Sequence, residues 1–200
     1  ESVVVSTGQH REMLEQVNKR FGITPDHDLA LMKPGQTLNE LVARAIQGLD
    51  PIIEEEKPDV IISQGDTSTA MVAALAGFHK GVKVVHLEAG LRTGNIFSPF
   101  PEEANRKIIG QIASLHLAPT DESRENLRRE NFRSKDIVVT GNTVIDALLA
   151  ASEWDVQFDD SRLEELRNSD EKLVLVTTHR RENLDAMKEI GGAVQDLAKS

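Results

Sequence analysis

Residues 58–95 read PDVIISQGDTSTAMVAALAGFHKGVKVVHLEAGLRTGN. Pro58 to Ser63 is a short apolar run without polar alternation, the pattern of a strand buried on both faces. Residues 69–79 carry a helical pattern, and Lys83 to Leu87 is a second apolar run. A strand, a helix and a strand within this length predict a parallel pair joined by a crossover helix.

Outward from this unit the alternation continues. Ser2 to Ser6 (SVVVS) predicts a strand and His10 to Phe21 a helix, with Met13, Leu14, Val17 and Phe21 at helical spacing. Pro25 to Gly35 reads as loop. Thr37 with Glu40 three residues on forms a capping box. Leu38, Leu41, Val42, Ala45, Ile46, Leu49, Ile52 and Ile53 then mark one helical face, with Pro51 expected to kink or break it. Further on, helices are expected over 102–113, 120–131 and 143–153, and strands over 115–118 and 137–140. The fold class is α/β, a Rossmann-like parallel sheet. Residues 154–170 turn acidic and poorly periodic, as a linker with a short helix. Lys172 to Thr178 (KLVLVTT) predicts the first strand of a second domain, followed by a helix from about Asn183. The expected division is 1–153, a linker over 154–170, and 171–200. A start inside a strand and an end inside a helical pattern are the expected marks of a truncated chain.

Composition narrows the function classes. Hydrophobic residues make up 39% of the 200, with 13 Gly, at the lower edge of globular usage. Lys and Arg number 23 against 33 Asp and Glu, a net charge of −10, which argues against a nucleic-acid partner. The absence of Cys excludes a disulfide scaffold and Cys-ligated metal. No apolar run approaches the ~18 residues of a transmembrane helix, and Val3 to Val5 is too short for a signal-peptide core. A cytoplasmic protein is expected.

In parallel sheets ligands bind beyond the carboxyl ends of the strands, so the loops after strands carry the candidates. Asp66 follows the first strand of the 58–95 unit, where an N-cap would also stand. Glu88 ends the second strand, followed by Gly90, Arg92 and Gly94. Glycines admit a ligand close to the backbone, and Arg reads phosphate as a fork. His86, on the strand itself, is expected to be a satisfied core histidine. Ser98 to Arg106 (SPFPEEANR) stiffens the approach to Glu102. Glu102–Arg106 and Glu103–Lys107 would also make ordinary i,i+4 pairs. His179, Arg180 and Arg181 follow the last strand, where two adjacent Arg favour an anion. Gly141-Asn142-Thr143 is a tight turn with Thr143 as a cap, or an anion-binding turn. The charge run from Asp121 to Asp136 reads as a solvated helix face. No Walker A loop, no G-x-G-x-x-G after a strand and no metal-spaced His cluster occurs. Three carboxylates and a His at one rim, without a metal motif, suit proton transfer between acids whose pKa values are driven apart.

These loops also occur together in one family. TGQHREML (7–14), QGDTST (64–69), HLEAGLRTGN (86–95), SPFPEEANR (98–106), TGNTVIDAL (140–148) and THRREN (178–183) stand in its order and spacing. The sequence resembles the bacterial non-hydrolysing UDP-N-acetylglucosamine 2-epimerases. The resemblance implies two facing Rossmann-like domains in a GT-B arrangement, cut short here, and a homodimer. It implies interconversion of UDP-N-acetylglucosamine and UDP-N-acetylmannosamine by loss and re-addition of UDP through a 2-acetamidoglucal. No redox cofactor or metal is implied, and the product would supply cell-envelope polysaccharide synthesis. Asp66, Glu88, Glu102 and His179 match the family's catalytic set, and Arg92 and Arg181 join Asp66, Glu88 and His179 as expected substrate contacts. Gln9, Gln36 and Arg180 match a regulatory nucleotide-sugar site, although Glu12 and Gly35 depart from its pattern. Glu88-Ala89-Gly90-Leu91 and Pro101-Glu102-Glu103 depart from the hydrolysing relatives. An epimerase of another UDP-sugar, such as a uronate derivative, and a non-catalytic sugar-nucleotide-binding module are the alternatives.

Overall fold

The computed structural model describes residues 1–8, 11–170, 172–177 and 187–197. The chain divides into two compact units, residues 1–150 and 151–200.

The first unit contains two parallel sheets. Strand β1 (Val5–Ser6) is followed by helix α1 (Arg11–Phe21) and strand β2 (His27–Asp28), and β1 pairs with β2. Then come α2 (Leu38–Glu56), β3 (Val60–Gln64), α3 (Ser68–His79), β4 (Lys83–Leu87), α4 (Glu102–Ile112), β5 (Leu115–Ala118), α5 (Asp121–Arg129), a 3₁₀ turn, β6 (Ile137–Val139) and α6 (Thr143–Ser152). Strands β3 to β6 lie in sequential order, every pair parallel. This is the α/β class expected from the alternation.

Three expectations change. The SVVVS strand shortens to two residues, and its partner β2 lies inside the stretch expected to be loop. A groove of about 660 Å³, lined in part by Val3, Val5, Ile53 and Ile62, separates this ribbon from β3. Helix α2 runs unbroken through Pro51. Proline there forfeits one backbone bond. The Thr37–Glu40 capping box holds the start of the helix, and Leu41, Ala45, Leu49 and Ile53 are buried on both sides of the proline. With Leu31, Val72 and Ala76 these residues make the largest core cluster, each large aliphatic side chain contributing about 1.5–3 kcal/mol by burial.

Toward the β5–β6 end of the sheet, Ala89, Ala118, Leu127 and Ile137 form a second cluster against Phe132. Gly90 makes its approach possible. A Cβ there would collide with the Ser123 carbonyl oxygen, and its φ of +91° favours glycine.

In the second unit, Asp160 caps α7 (Ser161–Arg167) through the Arg162 amide, and α8 spans Met187–Leu197. The strand expected over 172–178 is absent from the described residues 172–177. Among the described residues none pairs with them as a ladder partner, and Leu173 and Leu175 stand 72% and 88% exposed. β-propensity alone does not form a strand without a neighbour.

Candidate active site

The register of β3 with β4 pairs Gln64 with Leu87. The residues that follow, Gly65-Asp66 and Glu88, therefore emerge side by side at the carboxyl edge, where α/β sheets bind ligands. Two backbone bonds hold the edge: Gly65 N donates to Leu87 O at 2.9 Å, and Ala89 N to Leu117 O at 3.0 Å. His86 is 1% exposed, and its Nε2 donates to the Gly65 carbonyl at 2.8 Å, the satisfied core role expected for it. Burial drives its pKa down.

Asp66 is not a cap. Thr67 takes that position, its side chain accepting from the Ala70 amide. Asp66 instead engages α4. Arg106 Nε donates to Asp66 Oδ2 at 2.9 Å, and its Nη2 lies 2.8 Å from the same oxygen in an ion pair. Arg106 Nη1 donates to Glu103 Oε2 at 2.7 Å, and Glu103 is fully buried. Neither expected i,i+4 pair forms: Arg106 goes to Glu103 and Asp66, and Lys107 Nζ goes to Glu130 at 2.8 Å. The Glu102 carboxylate is left by both, half-buried in the first turn of α4.

Glu88 stands at a φ of +67°, a left-handed conformation uncommon for a non-glycine residue. This turn swings its side chain toward Gly65, where an added Cβ would lie 3.5 Å from Glu88 Oε2. Burial pushes the Glu88 carboxyl up and the Asp66 charge adds to the push, while an Asn142 hydrogen bond and the Arg106 charge pull it back. Asn142 also accepts from the Val144 amide at 3.0 Å, so it rather than Thr143 serves the start of α6.

Arg92 is brought to a different task from the one expected. Its Nε and Nη2 donate to Glu130 at 2.9 and 2.7 Å, and Nη1 donates to the Leu91 carbonyl at 2.8 Å. Its side chain is 8% exposed. The fork meant for substrate is closed on a carboxylate, which Arg92 and Lys107 hold down at about 2. Gln36 sits before α2, its Nε2 3.0 Å from Met32 Sδ. Gln9, His179, Arg180 and Arg181 lie outside the described residues.

Sequence reasoning missed Glu103, Arg106, Asn142 and Glu130 as participants. Asn105-Arg106 and Asn142 stood inside the quoted motifs, which was their signal. Glu130 lies in a run that is otherwise short-range surface pairing, such as Arg128–Glu125 and Arg133–Asp136, and carries no local signal. Among the described residues no group of three or more His, Cys, Asp or Glu could hold a metal ion. None of their helices is long and apolar enough to cross a membrane.

The comparisons with known proteins agree with one another. A UDP-N-acetylglucosamine 2-epimerase of Escherichia coli K12 is 48% identical over 204 residues, covering 99% of this chain and 54% of that protein. A Yersinia pestis protein of the same name is 47% identical over 205 residues. A UDP-GlcNAc 2-epimerase of Neisseria meningitidis, crystallised bound to UDP-GlcNAc, superposes with a TM-score of 0.88 at 42% identity, over 100% of this chain and 55% of that one. A putative UDP-N-acetylglucosamine 2-epimerase of Listeria monocytogenes superposes with a TM-score of 0.85 at 48% identity, over 92% of this chain and 47% of that one. The chain spans about half the length of the curated relatives it matches. The family model described as UDP-N-acetylglucosamine 2-epimerase matches residues 1–200, and the chain belongs to that family.

Proposed function

We propose that the whole protein interconverts UDP-N-acetylglucosamine and UDP-N-acetylmannosamine. The observation that carries this reading is the pairing of Asp66 with Glu88 at adjacent strand ends in unlike surroundings. Asp66 rests on a guanidinium, whereas burial and the Asp66 charge favour the protonated form of Glu88. Inverting one carbon requires a proton to leave on one face and arrive on the other, and two carboxyl groups side by side in unlike surroundings suit that exchange.

In this reading one carboxylate of the Asp66, Glu88, Glu102 set takes the proton from sugar carbon 2. The electron pair forms the carbon 1–carbon 2 double bond as the carbon 1–oxygen bond breaks, and UDP departs with that bonding pair. UDP then adds back to the 2-acetamidoglucal, and a carboxylic acid delivers a proton to the opposite face of carbon 2. His179 and Arg181 meet the departing diphosphate. A donor aimed at charge that grows in the transition state speeds chemistry more than it tightens binding.

Two facing domains joined by a linker over 154–170, a homodimer, a cytoplasmic location and supply of cell-envelope polysaccharide synthesis belong to the same reading. So does a regulatory nucleotide-sugar site at Gln9, Gln36 and Arg180. The similarity to the named bacterial epimerases over this chain's length supports it. Product analysis on UDP-N-acetylglucosamine tests it. UDP-N-acetylmannosamine is expected; free N-acetylmannosamine with stoichiometric UDP would mean hydrolysis.

A further inference from the structure

We propose that Arg106 is a positioning residue that clamps Asp66 for the reaction and acts on chemistry only through it. The inference rests on the epimerase reading and adds a part to the same site.

The clamp is built from α4. Both Nε and Nη2 of Arg106 converge on one oxygen, Asp66 Oδ2, and among the described residues Oδ1 accepts nothing. The remaining nitrogen, Nη1, is anchored on Glu103, which is fully buried and also accepts from the Gly94 amide at 3.3 Å. The preceding residue, Asn105, donates through Nδ2 to the Asp66 carbonyl at 2.8 Å. Consecutive residues of one helix therefore grip the main chain and the side chain of the same aspartate. From beneath, His86 grips the Gly65 carbonyl. The result fixes the orientation of one carboxylate whose second oxygen stays open.

A bland account would have Arg106 merely neutralise Glu103, since a buried carboxylate needs a partner. One partner would satisfy that need. Arg106 instead divides its donors between two carboxylates, the buried Glu103 and the outer Asp66, whose side chains are 0% and 28% exposed. A misplacement of about 1 Å in a reacting group can cost about 100-fold in rate, so a clamp of this kind has kinetic weight.

The two accounts separate in a double-mutant cycle on the whole protein. Arg106→Lys keeps a cation for Glu103 but cannot make the two-nitrogen grip on Oδ2. Turnover should fall by at least about tenfold with KM within about threefold. In an Asp66→Asn background the same change should alter turnover by less than about twofold. Amide exchange at Gly65 and Asp66, measured without substrate, should rise in Arg106→Lys. If Arg106→Lys does not fold, Glu103→Gln loosens the clamp without stranding a buried charge and takes its place. Equal losses in both backgrounds, or unchanged turnover and exchange, would overturn the proposal. A wild-type protein that does not convert UDP-N-acetylglucosamine would instead refute the epimerase reading, and the exchange measurement then decides the clamp alone.

Discussion

Arg92 and Glu130, 38 residues apart, meet as a two-point fork, Nε on Oε1 at 2.9 Å and Nη2 on Oε2 at 2.7 Å. The pair ties the loop after β4 to the end of α5. With Lys107 on the same carboxylate, the site's loop rests on a charge network that substrate need not touch. A guanidinium whose two-nitrogen fork is already closed on a carboxylate is a poor reader of an incoming diphosphate.

Arg92→Gln should therefore act on stability before affinity. It removes one of the two cations on a partly buried carboxylate, a loss of about 1–3 kcal/mol with Lys107 still in place, and KM for UDP-N-acetylglucosamine should move less than about threefold. Denaturant unfolding and steady-state kinetics check both. A tenfold rise in KM with unchanged stability would return Arg92 to the substrate. The pair also sets an acid limit. Glu130 titrates at about 2 when folded against 4.5 ordinarily, so its contribution is complete above pH 4.5 and fades as pH falls toward 2. Glu130→Gln should flatten that part of the stability curve.

His116 makes a second pH prediction. It pairs in register with His86 on the neighbouring strand, is 1% exposed, and packs on Phe132 with ring centroids 4.8 Å apart. Burial, with help from the His86 and Arg92 charges, drives its pKa to about 4. The unfolded chain binds the proton first, so stability is complete above pH 6.5 and is lost as pH falls from 6.5 to 4, by up to about 3 kcal/mol. His116→Phe should remove most of that slope in urea titrations between pH 4 and 7. An unchanged slope would mean the ring is already charged in the fold.

Glu88 combines strain with chemistry. Glu88→Gln should cut turnover at least about 100-fold, the scale of a positioned acid or base, while the fold survives. Glu88→Gly should be equally inactive yet at least as stable as Glu88→Gln, because glycine accepts φ +67° without the cost of a Cβ. Thermal unfolding compares the two. A glycine variant clearly less stable than the glutamine one would show that the backbone there carries no strain.

The four-stranded sheet was legible because each of its strands is a short apolar run closed by a polar loop, and the motif order announced which loops mattered. The break that Pro51 allowed does not occur, since a rule for isolated helices yields when both flanks are capped or buried. Residues 172–177 misled in the opposite sense, because a strand is a relation between segments and these have no ladder partner among the described residues. In the candidate site, the juxtaposition of Asp66 and Glu88 at adjacent strand ends was readable from the sequence. Arg92 was not, because nothing local marks Glu130 as its partner. Arg106 was hidden by the i,i+4 rule, which assigned it to Glu102, whereas the fold delivered Asp66 to it from 40 residues away.

Conversion of UDP-N-acetylglucosamine by the whole protein in D2O, followed at sugar carbon 2 by proton NMR, tests the central claim most directly. A proton taken by one carboxylate and returned by another exchanges with solvent between the two events. The account predicts UDP-N-acetylmannosamine carrying deuterium at carbon 2, with UDP still attached. UDP-N-acetylmannosamine that keeps its original carbon 2 proton, or free sugar released with UDP, would contradict it.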